Sequence, residues 1–270
     1  AQLLALTDVS GTIYDPKGLN LSVLVELFKQ AKPIRYYPPA ELHDGGFLVD
    51  RESNRMKNNL VQQTLCWKKA EGKVIEEWHS GNDMNYLWRS NVHTVPTDIF
   101  IPAGGRPRTL NNSNVKEFLD QTGKPTAKAI IEGANLYLDN DARHFLEARD
   151  VLIIKDSSAN KTGVICSSFE VLCGLALGDD VFLEYKEVLV EEILQRLKTC
   201  ALSEAKLLLT TLTEKGGRLT DISDLISSRI NMFFDQLLQY LDSIELSDSP
   251  ENARCLSSIL DEPRTLEGSI

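Results

Sequence analysis

Short apolar runs, each closed by a polar or turn residue and followed by a helix-spaced stretch, recur along the first two thirds of the chain. Leu3–Leu6 reads as a strand that ends at Thr7-Asp8 and turns through Ser10-Gly11 and Asp15-Pro16. Leu21, Leu24, Val25, Leu27 and Phe28 then share one face of a predicted helix, and Ile34–Tyr37 reads as a short strand closed by Pro38-Pro39. From Arg51 to Val95 the pattern weakens. That segment is polar, holds all three tryptophans (Trp67, Trp78, Trp88), and is expected to be a surface elaboration packed by its aromatics. Alternation resumes with a strand at Asp98–Ile101, the loop Ala103-Gly104-Gly105-Arg106-Pro107 and a helix around Asn114–Leu119.

Two strand-loop-helix units follow within about forty residues. The run Ala129, Ile130, Ile131 stops at Glu132 and turns on Gly133 before a helix predicted over Asp139–Ala148. The run Val151–Ile154 stops at Asp156, and a Ser/Asn/Gly loop enters a long apolar helix near Gly163. Strands spaced by helices imply an α/β chain with a doubly wound, Rossmann-like parallel sheet. In such sheets ligands bind beyond the carboxyl ends of the strands, so Asn135 and Asn160 are placed at one crevice.

Past Gly178 the pattern becomes wholly helical. Asp179-Asp180 opens a helix that runs to Gly216-Gly217, and Thr220-Asp221 opens another with Leu225, Ile226, Ile230, Phe233, Leu237, Leu238 and Leu241 on one face. Residues after Ser247 read as a loosely ordered end. The expected division is therefore a partial nucleotide-binding domain over 1–178 and a helical C-terminal region over 179–270.

Charge sharpens this division. The net charge is −10, yet residues 179–270 hold 18 Asp/Glu against 9 Lys/Arg, while residues 1–178 hold 21 against 20. A near-neutral first part tolerates an anionic dinucleotide, and an acidic tail argues against nucleic acid. No apolar run approaches the roughly 20 residues that cross a bilayer, so no membrane partner is expected. The five cysteines include no CxxC pair, which argues against zinc and for a reducing compartment, cytosol or mitochondrial matrix. The four histidines lack metal-ligand spacing and receive no catalytic role.

Several residues are candidates for chemistry. Asp8, an acid at a strand end, suits the hydroxyls of an adenosine ribose. Its repulsion of a 2′-phosphate, on the order of 4 kcal/mol at ~4 Å and a dielectric of about 20, favours NAD over NADP. The competing reading is that Asp8 caps the turn that follows. Ala103 and Gly104 allow close backbone approach, although no G-x-G-x-x-G fingerprint or P-loop is present. Arg106 is either an anion partner or solvent-facing. The Asn135 and Asn160 carboxamides suit a ribose, a nicotinamide amide or an amino acid's polar head, against the alternative of loops satisfying themselves. Ser167 is read on the first turn of the helix entered at Gly163, aided by its dipole, with Val164 on the same face.

The segments DVSGTIYDPKGL, TDIFIPAGGRPRTLNNSNV, IIEGANLYLDNDARHFLEARDVLIIKD and SSANKTGVICSSFE together resemble NAD-specific glutamate dehydrogenase of the large type. The resemblance runs from about Leu3 to Ala176 and more weakly through the tail. It implies NAD as cofactor, L-glutamate and 2-oxoglutarate as substrate and product, and a homo-oligomer. Asp8 would contact the adenosine ribose, Ala103 and Gly104 would line the cofactor, Asn135 would lie near the nicotinamide ribose, and Asn160 near nicotinamide and substrate. Val164 and Ser167 match the pair shaping the pocket for the substrate's side-chain carboxylate. Lys161 and Thr162 depart from the small-enzyme pattern. Family members place the glycine-rich loop just before the strand that opens this chain, and the catalytic lysine and aspartate earlier still. The expectation is a C-terminal piece of a longer polypeptide, inactive alone, whose missing first strand lies between the strand ending at Asp8 and that ending at Ile101. A dehydrogenase of another amino acid and a non-catalytic nucleotide-binding module remain open alternatives.

Overall fold

Asp8 decides how the chain begins. Its Oδ1 accepts the Ser10 and Gly11 backbone N–H groups at 2.7 and 3.1 Å, and the Ser10 hydroxyl. This closes a tight turn between β1 (Ala5–Asp8) and β2 (Gly11–Tyr14), which pair antiparallel. The computed structural model describes residues 1–243, without the side chains of residues 89–92. The expected loose end after Ser247 lies outside the described residues.

β2 continues into a meander of β3 (Phe47–Lys57), β4 (Val61–Ala70) and β5 (Lys73–Ser80), giving a five-stranded antiparallel sheet in the order β1-β2-β3-β4-β5. The elaboration expected over Arg51–Val95 is thus largely sheet. Its turns use Asn58-Asn59 and Glu71-Gly72, all four at positive φ, the conformation that hairpins of this twist require. Two of its tryptophans lie under arginines, Trp78 beneath Arg55 and Trp88 beneath Arg51, with guanidinium carbons 4.2 and 3.4 Å from the ring centroids. Trp67 packs against the core of Ile13, Leu19, Tyr37 and Leu48.

Gly11 is the tightest point of this sheet, because a Cβ there would sit 1.9 Å from the Val49 carbonyl oxygen. Gly11→Ala must push β2 off β3. The expected loss is at the upper end of the about 1–3 kcal/mol typical of overpacking, read as a lowered melting temperature. An unchanged melting temperature would show that the β2–β3 contact yields freely.

Helix α1 (Leu21–Lys29) follows β2, capped by Asn20. The strand expected at Ile34–Tyr37 is instead a 3₁₀ turn, Ile34–Tyr36. Its flanking prolines lack ladder donors, and the Ile34 N–H is taken by Asp8 Oδ2 at 3.0 Å. Short helices α2 (Gly81–Asn85) and α3 (Asn91–Thr94) flank a π-turn at Tyr86–Ser90 and lead to the second sheet.

That sheet is parallel, in the order β6 (Thr97–Phe100), β7 (Ala127–Ile131), β8 (Leu152–Ile154). Helix α4 (Asn140–Glu147), capped by Asp139, packs on one face. The helix expected near Asn114–Leu119 shrinks to a 3₁₀ turn, Val115–Phe118, buried in the same core as Ile130, Leu146 and Ile153. Register places Phe100, Ile130 and Ile153 side by side on the buried face. Ile99, Ala129 and Leu152 form a row on the other, where Ile99 is 50% and Leu152 46% exposed. After β8 come α5 (Asp156–Ala159), α6 (Lys161–Ala176), α7 (Asp179–Lys215) and α8 (Leu219–Asp242). α7 stops where Gly216 takes φ +67. The architecture is α/β and Rossmann-like with a helical C-terminal region, although β1 belongs to the antiparallel sheet.

By backbone contacts the chain divides into Ala1–Thr220 and Asp221–Ile270. In the second unit, Leu225, Ile230, Phe233, Leu237, Leu238 and Leu241 of α8 are exposed.

Candidate functional site

The three parallel strands end together, and their loops are tied by backbone hydrogen bonds. Ala134 N–H donates to the Pro102 carbonyl at 2.7 Å, and Arg108 N–H to the Leu136 carbonyl at 2.7 Å. Gly133 packs against the first loop, where a Cβ would make ordinary contact with Ala103 Cα and the Pro102 oxygen at 3.4 Å. Gly104 faces open space.

Asn135 and Asn160 are brought into direct contact. Asn160 Nδ2 donates to Asn135 Oδ1 and, at 3.3 Å, to the Gly133 carbonyl. This spends Asn135's oxygen and Asn160's amide group. It commits neither Asn135 Nδ2 nor Asn160 Oδ1, so the pair still offers one donor group and one acceptor. The exposed Asn135 immediately precedes Leu136, which holds φ +55.

Below this pair lies a buried charge cluster that sequence reasoning did not identify as part of the site. Arg143 Nε donates to Glu132 Oε2 at 2.9 Å and Nη2 to Oε1 at 3.2 Å. Nη2 also reaches Asp156 Oδ1 at 3.4 Å, and Nη1 donates to Asn140 Oδ1 at 2.9 Å. Glu132 and Arg143 are 0% and 2% exposed. Desolvation raises the Glu132 pKa above the ordinary carboxyl value, and Arg143 opposes that rise. The sequence did carry a signal. Glu132 and Asp156 are the acids that end the two apolar runs, and Arg143 sits three residues before Leu146 on the buried stripe of α4.

Ala103, Gly104, Asn135 and Asn160 thus converge on one edge of the parallel sheet, and α6 leaves the same edge. α6 starts at Lys161 rather than near Gly163, so Ser167 is its seventh residue and lies beyond the first turn, where the helix dipole acts. Ser167 and Val164 share a face and are exposed, Val164 to 70%. Lys161 turns to α7 and pairs with Glu204 at 2.7 Å. Asp8 stands apart, at the end of β1 in the antiparallel sheet. Its Oδ1 is filled by the turn, whereas Oδ2 accepts only the Ile34 N–H among the hydrogen bonds described. Arg106 is exposed.

His93 was assigned no role, and it is a core residue. It is 4% exposed, bonds the Tyr137 hydroxyl through Nε2 at 3.0 Å and packs edge-on against Phe100. Its buried Nδ1 has no partner among the described residues, and burial pushes its pKa down to about 4.

The family model for glutamate/leucine/phenylalanine/valine dehydrogenase matches residues 1–206. Glutamate dehydrogenase 2 of Dictyostelium discoideum is 30% identical over 248 residues, covering 87% of this chain and 22% of that protein. The NAD-specific glutamate dehydrogenase of Saccharomyces cerevisiae is 32% identical over 255 residues, with the same coverages of 87% and 22%. The probable NAD-specific glutamate dehydrogenase of Schizosaccharomyces pombe is 35% identical over 182 residues, covering 67% and 15%. The chain therefore spans about a fifth or less of the length of these relatives. Among solved structures, one from a study of Plasmodium falciparum glutamate dehydrogenase 2 aligns with a TM-score of 0.50 and 17% identity, over 86% of this chain and 41% of that one, a likeness of fold.

Proposed function

Because the chain belongs to the glutamate/leucine/phenylalanine/valine dehydrogenase family, we propose that it is the C-terminal, cofactor-binding part of an NAD-dependent glutamate dehydrogenase. The whole enzyme converts L-glutamate, NAD and water to 2-oxoglutarate, ammonia and NADH. The observation that carries this reading is the convergence of Ala103, Gly104, Asn135 and Asn160 at the ends of three parallel strands, with an unspent amide donor and carbonyl acceptor on the Asn pair.

The donor set suits the dinucleotide. When bound, NAD supplies the hydride acceptor. The open Gly104 admits the cofactor against backbone, Asn135 takes the nicotinamide ribose, and Asn160 the nicotinamide end. Asp8 binds the adenosine ribose through the remaining capacity of Oδ2, its Oδ1 already serving the turn. Val164 and Ser167, on the α6 face nearest the start of that helix, shape the pocket for the substrate's side-chain carboxylate. No residue of this chain is assigned proton transfer, and the catalytic lysine belongs to a preceding part of the polypeptide.

Two features support a longer polypeptide. β1 and β6 each carry no strand on their outer edge among the described residues, and a cleft of about 570 Å³ lined by Gln2, Leu4, Thr97 and Asp98 lies between their beginnings. The half-exposed row Ile99, Ala129, Leu152 is unusual for a parallel sheet, whose two faces are ordinarily covered. We read residues 1–178 as the cofactor-binding portion, 179–270 as its helical region, and the complete enzyme as a homo-oligomer. No described helix is long and apolar enough to cross a membrane.

The test is glutamate-dependent NADH formation by the full-length protein. Turnover is expected there and not from this chain alone, and Asn160→Ala should lower kcat/KM by roughly 10- to 100-fold, as loss of a positioning contact does. Absence of turnover across several amino acids would sink the reading.

A further inference from the structure

The cluster beneath the Asn pair spends nearly all its hydrogen-bonding capacity on the two loops that carry those residues. Asp156 Oδ2 accepts the Leu136 N–H at 2.7 Å, and Oδ1 accepts the Ser157 N–H at 2.9 Å. Glu132 accepts the Leu138 N–H at 3.2 Å through Oε1 and the Asp156 N–H at 3.3 Å through Oε2. Each carboxylate stands at the end of one strand, and the Arg143 guanidinium bridges the two. The loop it serves is not relaxed. Leu136 sits in the left-handed region at φ +55, which costs a branched side chain about 1–2 kcal/mol and persists only where neighbours over-determine it. Asn160 is bound to the same frame, since its N–H donates to the Asp156 carbonyl at 3.0 Å.

Stability alone gives no reason for such a cluster. Replacing buried ion pairs by well-packed apolar residues is often neutral or stabilising, so burying two carboxylates on one guanidinium is a poor way to fill a core. What an apolar core cannot do is fix the separation of two strand-end loops through directed hydrogen bonds.

We propose that Arg143 is a positioning residue of the nicotinamide site, holding Asn135 and Asn160 in register through Glu132 and Asp156. The proposal rests on the assignment of those two asparagines to the nicotinamide end of NAD. Arg143 is 2% exposed and acts through the two carboxylates that it bridges. Its α4 helix meets the site from behind, and its fork converts the spacing of two carboxylates into the spacing of two carboxamides.

The experiment uses the full-length protein and two probes, NADH and AMP, the second carrying only the adenosine half of the dinucleotide. Arg143→Lys keeps the charge but loses the planar fork, so it cannot span Glu132, Asp156 and Asn140 together. NADH binding is expected to weaken about tenfold, the equivalent of one well-formed hydrogen bond, while AMP binding stays within about twofold. kcat should fall by about 100-fold, as displacement of a reacting group does. In an Asn160→Ala background, Arg143→Lys should weaken NADH less than it does in the parent, because one of the two groups through which it acts is gone. Should Arg143→Lys fail to fold, Asp156→Asn serves in its place, keeping volume and an acceptor for Leu136 N–H while losing the charge that draws the guanidinium.

Parallel weakening of NADH and AMP would reduce the cluster to general scaffolding and overturn the proposal, as would unchanged NADH binding or losses that multiply with Asn160→Ala. If Asn160→Ala alone leaves NADH binding intact, the nicotinamide assignment itself fails and takes this proposal with it. If Asn160→Ala weakens NADH and Arg143→Lys does not, the proposal fails alone.

Discussion

Arg143→Met is expected to cost about 3–5 kcal/mol of folding stability, the largest effect of any single substitution considered. Methionine matches much of the volume, so the loss is electrostatic. Glu132 and Asp156 would be left facing each other in a site where Glu132 is 0% exposed, with no cation to offset their burial. At roughly 2–4 °C per kcal/mol for a chain of this size, thermal unfolding should fall by roughly 10 °C. The direction of its pH dependence follows from the same cluster. Burial already raises the Glu132 pKa, and removing Arg143 raises it further, so the deficit should shrink as the solution is acidified and the carboxyl takes a proton. Adding Glu132→Gln and Asp156→Asn removes the uncompensated charges and should recover most of the loss. A shift below about 2 °C for Arg143→Met alone would mean that the carboxylates find other partners on relaxation.

The second large effect is a loss of stability in mild acid that traces to His93. The folded protein holds its imidazole neutral, with a pKa of about 4, whereas the unfolded chain protonates it near the ordinary value of 6.5. Above pH 6.5 both states are neutral and the fold keeps its full advantage. Below that, the unfolded state binds the proton and the fold does not, so stability falls by about 1.4 kcal/mol per pH unit until the folded pKa is reached, a total of about 3 kcal/mol. Glu132 contributes with the opposite sign, because a raised carboxyl pKa favours the fold as pH drops. The clean measurement is therefore a difference between denaturant titrations of the parent and His93→Gln at pH 7 and pH 4.5. Glutamine can still bond the Tyr137 hydroxyl and carries no titration, so its curve should lose less stability on acidification. Equal losses in both proteins would overturn the assignment to His93.

The parts of the fold legible in advance were those whose signal is local. Asp139 caps α4, Gly216 ends α7 in a left-handed turn, and the runs through Ile130 and Ile153 are strands because apolar positions stop abruptly at acids. The meander β3–β5 was missed because it is polar on both sides for much of its length. Its compact signals are the Asn58-Asn59 and Glu71-Gly72 turns, whose residue types alone do not compel a hairpin. β1 reads as a parallel strand because strands spaced by helical patterns imply a parallel sheet. The Asp8 carboxylate turns the chain back on itself with two backbone N–H groups, something the residue types of Ser10 and Gly11 permitted without compelling. Of the site, Asn135 and Asn160 were legible as loop residues at neighbouring strand ends, but their direct contact was not. Arg143 escaped notice for a physical reason: an arginine on a helix ordinarily reads as solvated, and only the convergence of Glu132 and Asp156 from two separate strands makes its burial tolerable.

The row Ile99, Ala129, Leu152 bears on how such a protein is handled in the cell and in evolution. A segment whose parallel sheet is apolar on an open face is a poor module for gene transfer, since a breakpoint that separates it from its covering residues releases a sticky surface. Truncated products that expose it should be held by chaperones and cleared by proteases rather than accumulate.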